Sequence, residues 1–368
     1  MKEKNILLIW DRIGDYHLAR VKACEEVFKG AVYTADLAGT DSLYKWNSIE
    51  QAHHTVLSFK AAEQSDILPR FKAFRKIIKE NNIHVVAAPY GRTEYLLFLL
   101  YARLTGLRTI VFCESWYTRG KVKDFFKSVL LKTIGNRYFV SGQRAYEHLT
   151  KRYGIQSSRV FKGYSVVDNA HFSIQNSEGN VPVKKYLICV ARYSKEKNLA
   201  TLIRSFAKSA IQEKYTLLLV GDGPERTSLQ NVIDREGLKD RVVLSGWVTY
   251  NELPALYAAS AAFVLPSTFE PWGLVVNEAM AAGLPVFISK ECGCEPDLLD
   301  EGKNGWSFSA NNEQELIQLL NKFAHTDIIE LTKMSTHSIH IIDAYTPEAW
   351  AINMASILAD LTTVIEYY

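Results

Sequence analysis

The stretch Ala261-Ala-Phe-Val-Leu265, followed after three residues by Phe269-Glu-Pro-Trp-Gly-Leu-Val-Val-Asn-Glu278, decides the fold. Its first part is continuously apolar rather than alternating, the pattern of a strand buried on both faces of a parallel sheet. A loop with Pro and Gly separates it from a helical stretch, Leu274–Ala282, and Pro285–Ile288 reads as the next strand. Strand, helix, strand is the unit of a doubly wound α/β domain. The same alternation extends backwards. Tyr186–Ala191, Tyr215–Val220 and Val242–Leu244 read as strands, with helices at Leu199–Lys208, Gly223–Glu236 and Glu252–Ser260.

The first half repeats this architecture without repeating its sequence. Asn5–Trp10, Val85–Ala88, Thr109–Cys113 and Arg137–Val140 read as strands, and His17–Phe28, Leu68–Glu80 and Glu94–Thr105 as helices. Ser173–Pro182 is polar and reads as a linker. The 368 residues exceed what one core holds, since single cores stop growing near roughly 250–300 residues. The expected organisation is a Rossmann-like domain over 1–168 and a second over 169–345. A final helix over 346–368 is expected to pack back on the first domain, with Thr346 as N-cap and Pro347 at its first position.

Ligands of open α/β sheets bind beyond the carboxyl ends of the strands, so the loops after strands are where chemistry is sought. Gly273 permits close backbone approach, and the N–H groups of Leu274 and Val275 open a helix whose dipole favours an anion. Glu270 precedes that turn and Glu278 lies one turn inside the helix. Two carboxylates beside an anion site suit a molecule with phosphates set between hydroxyls. The plain alternative is a loop charge and a solvated helix face. Val190-Ala-Arg-Tyr-Ser-Lys-Glu-Lys-Asn198 places Arg192 and Lys197 in another strand-to-helix loop, where two cations can hold a diphosphate without a metal, or simply be solvated. Val220-Gly-Asp-Gly-Pro224 is a glycine-rich turn at a third strand end.

In this order, the elements resemble the donor domain of retaining glycosyltransferases of family 4, which have the GT-B fold, two Rossmann-like doubly wound domains facing a central cleft. The matches are Arg192, Lys197-Asn198, Gly221–Pro224, the Glu270/Glu278 pair, Ala281-Ala-Gly-Leu-Pro-Val286, and Glu295 through Asn304-Gly305. The resemblance is strong over 184–310 and looser at Val167-Asp168-Asn169 and the final helix. It implies a metal-independent transferase without cofactor that moves a sugar from a nucleotide-sugar, a UDP-sugar by analogy, to a glycan or lipid-linked acceptor. Arg192 and Lys197 would neutralise the departing diphosphate. Glu270 would contact the transferred sugar and Glu278 the ribose hydroxyls. Asn198, Gly221, Gly223, Gly273, Leu274 and Val275 would belong to the donor site, with Trp247 and Val248 near the base and Gly14 near the phosphates from the first domain. A GT-B epimerase and an inactive GT-B binding protein are the alternatives. The first would need further acid/base residues, and the retained Glu, Arg and Lys set argues against the second.

One departure concerns the acceptor side. Many relatives carry a histidine after the strand equivalent to Val111–Cys113, where this chain has Cys113-Glu-Ser-Trp-Tyr117. Glu114 is one substitute and His17 another, although a lone histidine on a helix is more often structural.

Charge divides the chain. Residues 1–165 carry 27 Lys and Arg against 15 Asp and Glu, whereas residues 166–368 carry 16 against 25. Arg119, Lys121, Lys123, Lys127 and Lys132 flank an apolar stripe of Val122, Phe125, Phe126, Val129 and Leu130 at helical spacing. Such a helix lies on an anionic membrane, or else packs its stripe on the sheet. No nucleic-acid motif accompanies the charge. Five scattered cysteines fit a reducing compartment, and Cys292-Gly-Cys294 reads as structural because its spacing is too tight for a usual zinc pair. The apolar run after Lys2 and Lys4 is only strand length, and no stretch reaches the about 20 residues that span a bilayer. The expected location is cytoplasmic, with contact to the inner membrane face if the basic helix docks there.

Overall fold

The computed structural model describes residues 4–39, 52–61, 64, 66–118, 120–173 and 186–363. The chain divides into two compact units, Met1–Val166 with Pro347–Tyr368, and Val167–Thr346. The expected linker lies, beyond Ser173, outside the described residues.

The first unit is ordered β1 (Asn5–Trp10), α1 (Asp15–Val27), β2 (Val32–Asp36), β3 (His54–Val56), α2 (Ile67–Glu80), β4 (Ile83–Ala88), α3 (Thr93–Leu104), β5 (Arg108–Cys113), α4 (Lys121–Ile134), β6 (Arg137–Val140), α5 (Gln143–Glu147) and β7 (Val160–Lys162). Helix α5 runs on as a π-helical turn over His148–Arg152. The strands form one parallel sheet in the order β3-β2-β1-β4-β5-β6-β7. Strand β1 is buried from Ile6 onward, as a two-sided parallel strand must be.

The second unit is ordered α6 (Asn169–Phe172), β8 (Tyr186–Val190), α7 (Leu199–Ala207), α8 (Ile211–Lys214), β9 (Thr216–Val220), α9 (Arg226–Arg235), β10 (Val242–Gly246), α10 (Leu253–Ala258), β11 (Ser260–Leu265), α11 (Leu274–Ala281), β12 (Val286–Ser289), α12 (Glu295–Leu298), β13 (Gly305–Phe308), α13 (Glu313–Ala324) and α14 (Ile328–Ile342). Its parallel sheet runs β10-β9-β8-β11-β12-β13. Asn312 and Asp327 cap α13 and α14 by accepting from the N–H groups three residues on, at 3.2 and 2.9 Å. Helix α15 (Pro347–Thr363) returns to the first unit, where it packs along α1 and sets Trp350 against Phe139 with ring centroids 5.6 Å apart and the rings tilted by 38°.

Several elements differ from the sequence expectation. The helix expected from Gly223 starts only at Arg226, because Gly223-Pro224-Glu225 is held as a turn by the bond from Glu225 N–H to Tyr193 O at 3.0 Å. The helix expected over Glu252–Ser260 is a 3-10 turn over Tyr250–Glu252 followed by α10, and Ser260 already belongs to β11. Most of the apolar stripe of α4 does not pack inward: Val122, Phe125, Phe126 and Val129 are 70%, 64%, 66% and 49% exposed, and only Leu130 of the five is partly buried against the core. The face turned inward is Asp124, Ser128, Leu131 and Ile134.

Candidate active site

In the second sheet, connections from β8 run one way to β9 and β10, and those from β11 run the other way to β12 and β13. The switch point therefore lies between β8 and β11, where an open sheet forms its ligand crevice. The loop after β8 carries Arg192, Lys197 and Asn198. The loop after β11 carries Glu270 and leads into α11.

Backbone chemistry fixes the first loop. Gly221 and Gly223 have φ of +131° and +159°, and a Cβ on either would lie 2.1 Å from Ala191 O and 2.5 Å from Tyr193 O. Only glycine lets the two βα turns touch. Tyr193 N–H then donates to Asp222 O at 2.9 Å, and the buried Tyr193 hydroxyl donates to Leu219 O at 2.7 Å. Asn198 adopts a left-handed φ of +54° and closes the loop. Its Nδ2 donates to Ala310 O at 2.9 Å and Pro266 O at 3.2 Å, while its Oδ1 accepts from Thr201 Oγ1 at 2.7 Å. The Gly-Asp-Gly turn and Asn198 thus hold the loop in place through contacts within the protein. Arg192 stays exposed at the loop's start.

Lys197 and Glu270 form an ion pair, with side chains 19% and 13% exposed. Burial disfavours the ammonium, but the adjacent Glu270 carboxylate outweighs it and raises the lysine above its ordinary range. Ser267 Oγ also faces Glu270 Oε2 at 3.5 Å. The Glu270 loop is fastened to the following one, because Gly293 N–H donates to Glu270 O at 2.9 Å and Cys294 N–H to Trp272 O at 3.2 Å. Cys292 and Cys294 form no disulfide among the described residues and are fully buried beneath this seam.

Gly273 starts α11 with φ of +103°, and a Cβ there would press on Leu265 Cδ2 at 3.1 Å and Glu270 Cγ at 3.3 Å. The N–H groups of Leu274 and Val275 follow it, in the first turn where no preceding turn accepts from them. Glu278 is buried rather than solvated: it is 8% exposed, and its Oε2 accepts from the Tyr257 hydroxyl at 2.8 Å. Burial pushes its carboxyl up to about 7, and the Tyr257 hydrogen bond opposes that shift.

The first sheet has its own switch point between β1 and β4. There Arg92 Nε pairs with Asp11 Oδ1 at 2.7 Å, and the same oxygen accepts from the Tyr95 hydroxyl at 2.7 Å. Gly14 caps α1, and its N–H donates to His17 Nδ1 at 3.1 Å. His17 is buried between Trp10 and Tyr16, with ring centroids 4.8 and 4.3 Å away. Burial first and Arg20 second lower its pKa well below the ordinary value, so it is neutral. Glu114 is exposed, directly after β5.

Residues 171–338 match the profile of the family described as Glycosyl transferases group 1. The second unit is a group 1 glycosyltransferase domain. An uncharacterised glycosyltransferase of Methanocaldococcus jannaschii is 32% identical over 128 residues, which is 35% of this chain and 33% of that protein. The chain spans about a third of the length of the curated relatives it matches. Across the whole chain the likeness is structural. Sucrose-phosphate synthase of Thermosynechococcus elongatus superposes with a TM-score of 0.77 at 18% identity, covering 98% of this chain and 100% of that one. Anabaena HepE, solved in complex with UDP and glucose, gives 0.75 at 17% identity over 97% and 100%. The fold is GT-B, with two parallel-sheet Rossmann-like units.

Within the glycosyltransferase domain, Trp247 and Val248 follow β10, two strands from the switch point. Trp247 is half-exposed, and Val248 packs on the core beside Tyr250. Sequence reasoning missed Tyr257, the partner of Glu278. It also missed Asp11, Arg92 and Tyr95. The signal for Asp11 and Arg92 was available, since Asp11 directly follows β1 and Arg92 ends the short loop between β4 and α3.

Proposed function

We propose that the chain is a retaining glycosyltransferase that takes a sugar from a nucleotide-sugar, a UDP-sugar in the first instance, and passes it to a glycan or lipid-linked acceptor without a metal. The observation that carries this reading is the Lys197–Glu270 pair at the β8/β11 switch point, beside the open first turn of α11. The membership of residues 171–338 in a glycosyltransferase family supports it, as does the fold shared with HepE, whose structure holds UDP.

In this mechanism the donor's diphosphate lies against Lys197, Arg192 and the N–H groups of Leu274 and Val275. As the bond from the sugar's anomeric carbon to the diphosphate breaks, negative charge grows on the β-phosphate, and preorganised donors stabilise it. Glu270 accepts from hydroxyls of the transferred sugar while Lys197 holds the carboxylate in place. Glu278 accepts from the ribose. The acceptor hydroxyl attacks the face that the diphosphate leaves, its proton passes to a phosphate oxygen, and configuration is retained. No protein nucleophile is required. The first unit, with its excess of basic residues, binds the acceptor. Its exposed α4 face, with Lys121, Lys123, Lys127 and Lys132 beside Phe125 and Phe126, rests on anionic membrane; Arg119 lies outside the described residues.

The test is a thermal-shift panel of nucleotide sugars on the purified chain, followed by an assay of sugar transfer or slow donor hydrolysis. A stabilising donor and turnover lost in Lys197→Ala and Glu278→Ala support the reading. Unchanged turnover in both variants overturns it.

A further inference from the structure

The first unit carries an open groove to which the proposed transfer assigns no residue. It lies between the loop after β5 and α5 with its π-helical continuation, lined by Trp116, Arg144, Glu147, His148, Lys151 and Arg152, with a volume of about 440 Å³. The Arg144 guanidinium lies over the Trp116 ring at 4.9 Å. Arg152 reaches Asp124 Oδ2 at 2.8 Å, and Lys151 reaches Glu147 Oε1 at 3.0 Å, an oxygen that also accepts from Gln143 Nε2 at 2.8 Å. Both carboxylates are thus engaged. Lys127 adds a fourth positive charge close enough to His148 to disfavour its protonation, after burial, which is the larger effect.

His148 makes this more than a patch of surface charge. It is 8% exposed, and its Nε2 is buried with no hydrogen-bond partner among the described residues. Buried polar atoms are nearly always partnered, and the exceptions ask for a ligand or another explanation. The backbone carrying it winds as a π-helix over His148–Arg152, a rare form that recurs at functional sites.

We propose that this groove binds a phosphate ester, with Arg144 and Arg152 facing the anion and the His148 ring turning to bring its Nε2 to it. A phosphate accepts from several directions at once, and a guanidinium is the side chain best shaped to meet it. The groove is far larger than an oxyanion, so it holds part of the ester's organic group as well. The ester is carried either by a soluble sugar or glycerol phosphate, or by a lipid headgroup presented beside the exposed face of α4. The proposal concerns binding alone and stands apart from the sugar-transfer reading.

The test uses the full chain. Glycerol 3-phosphate is titrated by calorimetry, and co-sedimentation is measured with phosphatidylcholine vesicles with and without phosphatidylglycerol. Arg144→Gln and His148→Gln are compared with the parent and with Lys76→Gln, which lies in a separate basic patch on α2. Melting curves verify that each variant folds. Tenfold or greater weakening of glycerol 3-phosphate binding in both groove variants, with Lys76→Gln unchanged, establishes a soluble ester. The same loss seen only with phosphatidylglycerol vesicles establishes a lipid headgroup. Lys197→Ala retains the binding in either case, because the donor loop is not involved. No binding of either probe, or affinities within twofold of the parent in both groove variants, overturns the proposal.

Discussion

The Tyr257 hydroxyl donates to Glu278 Oε2 at 2.8 Å inside a site where both side chains are buried. Burial raises the Glu278 carboxyl from 4.5 to about 7. The folded state therefore favours the neutral acid. Its contribution is fully present below the ordinary glutamate value and is lost as pH rises through about 7. At 1.36 kcal/mol per unit, the parent should lose on the order of 3 kcal/mol relative to Glu278→Gln across that window. Denaturant unfolding at pH 4.5 and pH 8 measures it. A difference between the two proteins that does not change with pH refutes it.

Ligand binding should show the opposite slope. A ribose hydroxyl donates better to a carboxylate than to an acid, so affinity for UDP in the parent should increase between pH 6 and pH 8. Glu278→Gln should bind more weakly and rise less, since only ionisation of the UDP terminal phosphate, with a pKa of roughly 6, remains to strengthen its binding. Calorimetry at the two pH values separates these outcomes.

Lys197 and Glu270 should behave as one device. Losing a preorganised charge at a developing anion costs about 10²–10³ in kcat. Lys197→Ala should show a loss of that size, and it also leaves a mostly buried carboxylate without its cation. The double variant with Glu270→Ala should be far less impaired than the two separate losses multiplied, since residues of one pair couple strongly. Multiplicative losses would separate their roles.

Gly221→Ala and Gly237→Ala make a contrast in stability. Both residues have positive φ, but a Cβ on Gly221 meets Ala191 O at 2.1 Å, whereas on Gly237 it meets nothing within 4 Å. Gly237→Ala should cost about 1 kcal/mol from backbone strain alone. Gly221→Ala should cost clearly more and lower donor affinity, because the loop carrying Lys197 must shift. Thermal melts and a donor titration on both variants check this.

Replacing Phe125 and Phe126 together by Ser should leave the melting temperature nearly unchanged, as both rings are exposed. Binding to phosphatidylglycerol vesicles should fall several-fold if the α4 face inserts. Undiminished flotation with vesicles would assign membrane contact elsewhere.

The doubly wound architecture was legible because buried parallel strands are continuous apolar runs, as in Ile6–Trp10 and Ala261–Leu265. Strand β2, with Tyr33 and Thr34 among its residues, gave no such run, and β13 hides its apolar residues around Ser307. The Glu270–Glu278 motif was legible as a motif only. Nothing in local sequence distinguishes a buried Glu278 from a solvated one, since the partner that defines its environment, Tyr257, is 21 residues away. The direction of the α4 stripe was equally hidden. Helical spacing shows which residues share a face but not which face meets the sheet. Here the inward face is mixed: Asp124 pairs with Arg152 and Ser128 donates to Tyr153 O at 2.7 Å, while Leu131 and Ile134 are buried in the core.

Helix α15 gives the first unit a history as well as a shape. Its Trp350, Met354 and Ile357 are fully buried there, yet the ribosome makes them some 180 residues after Val166. The second unit is one contiguous segment and is free to mature as soon as it leaves the exit tunnel. The first must wait with the flank of α1 uncovered until the last helix arrives. A nascent chain stalled shortly before Pro347 should therefore present a sticky, chaperone-seeking first unit attached to a finished second one.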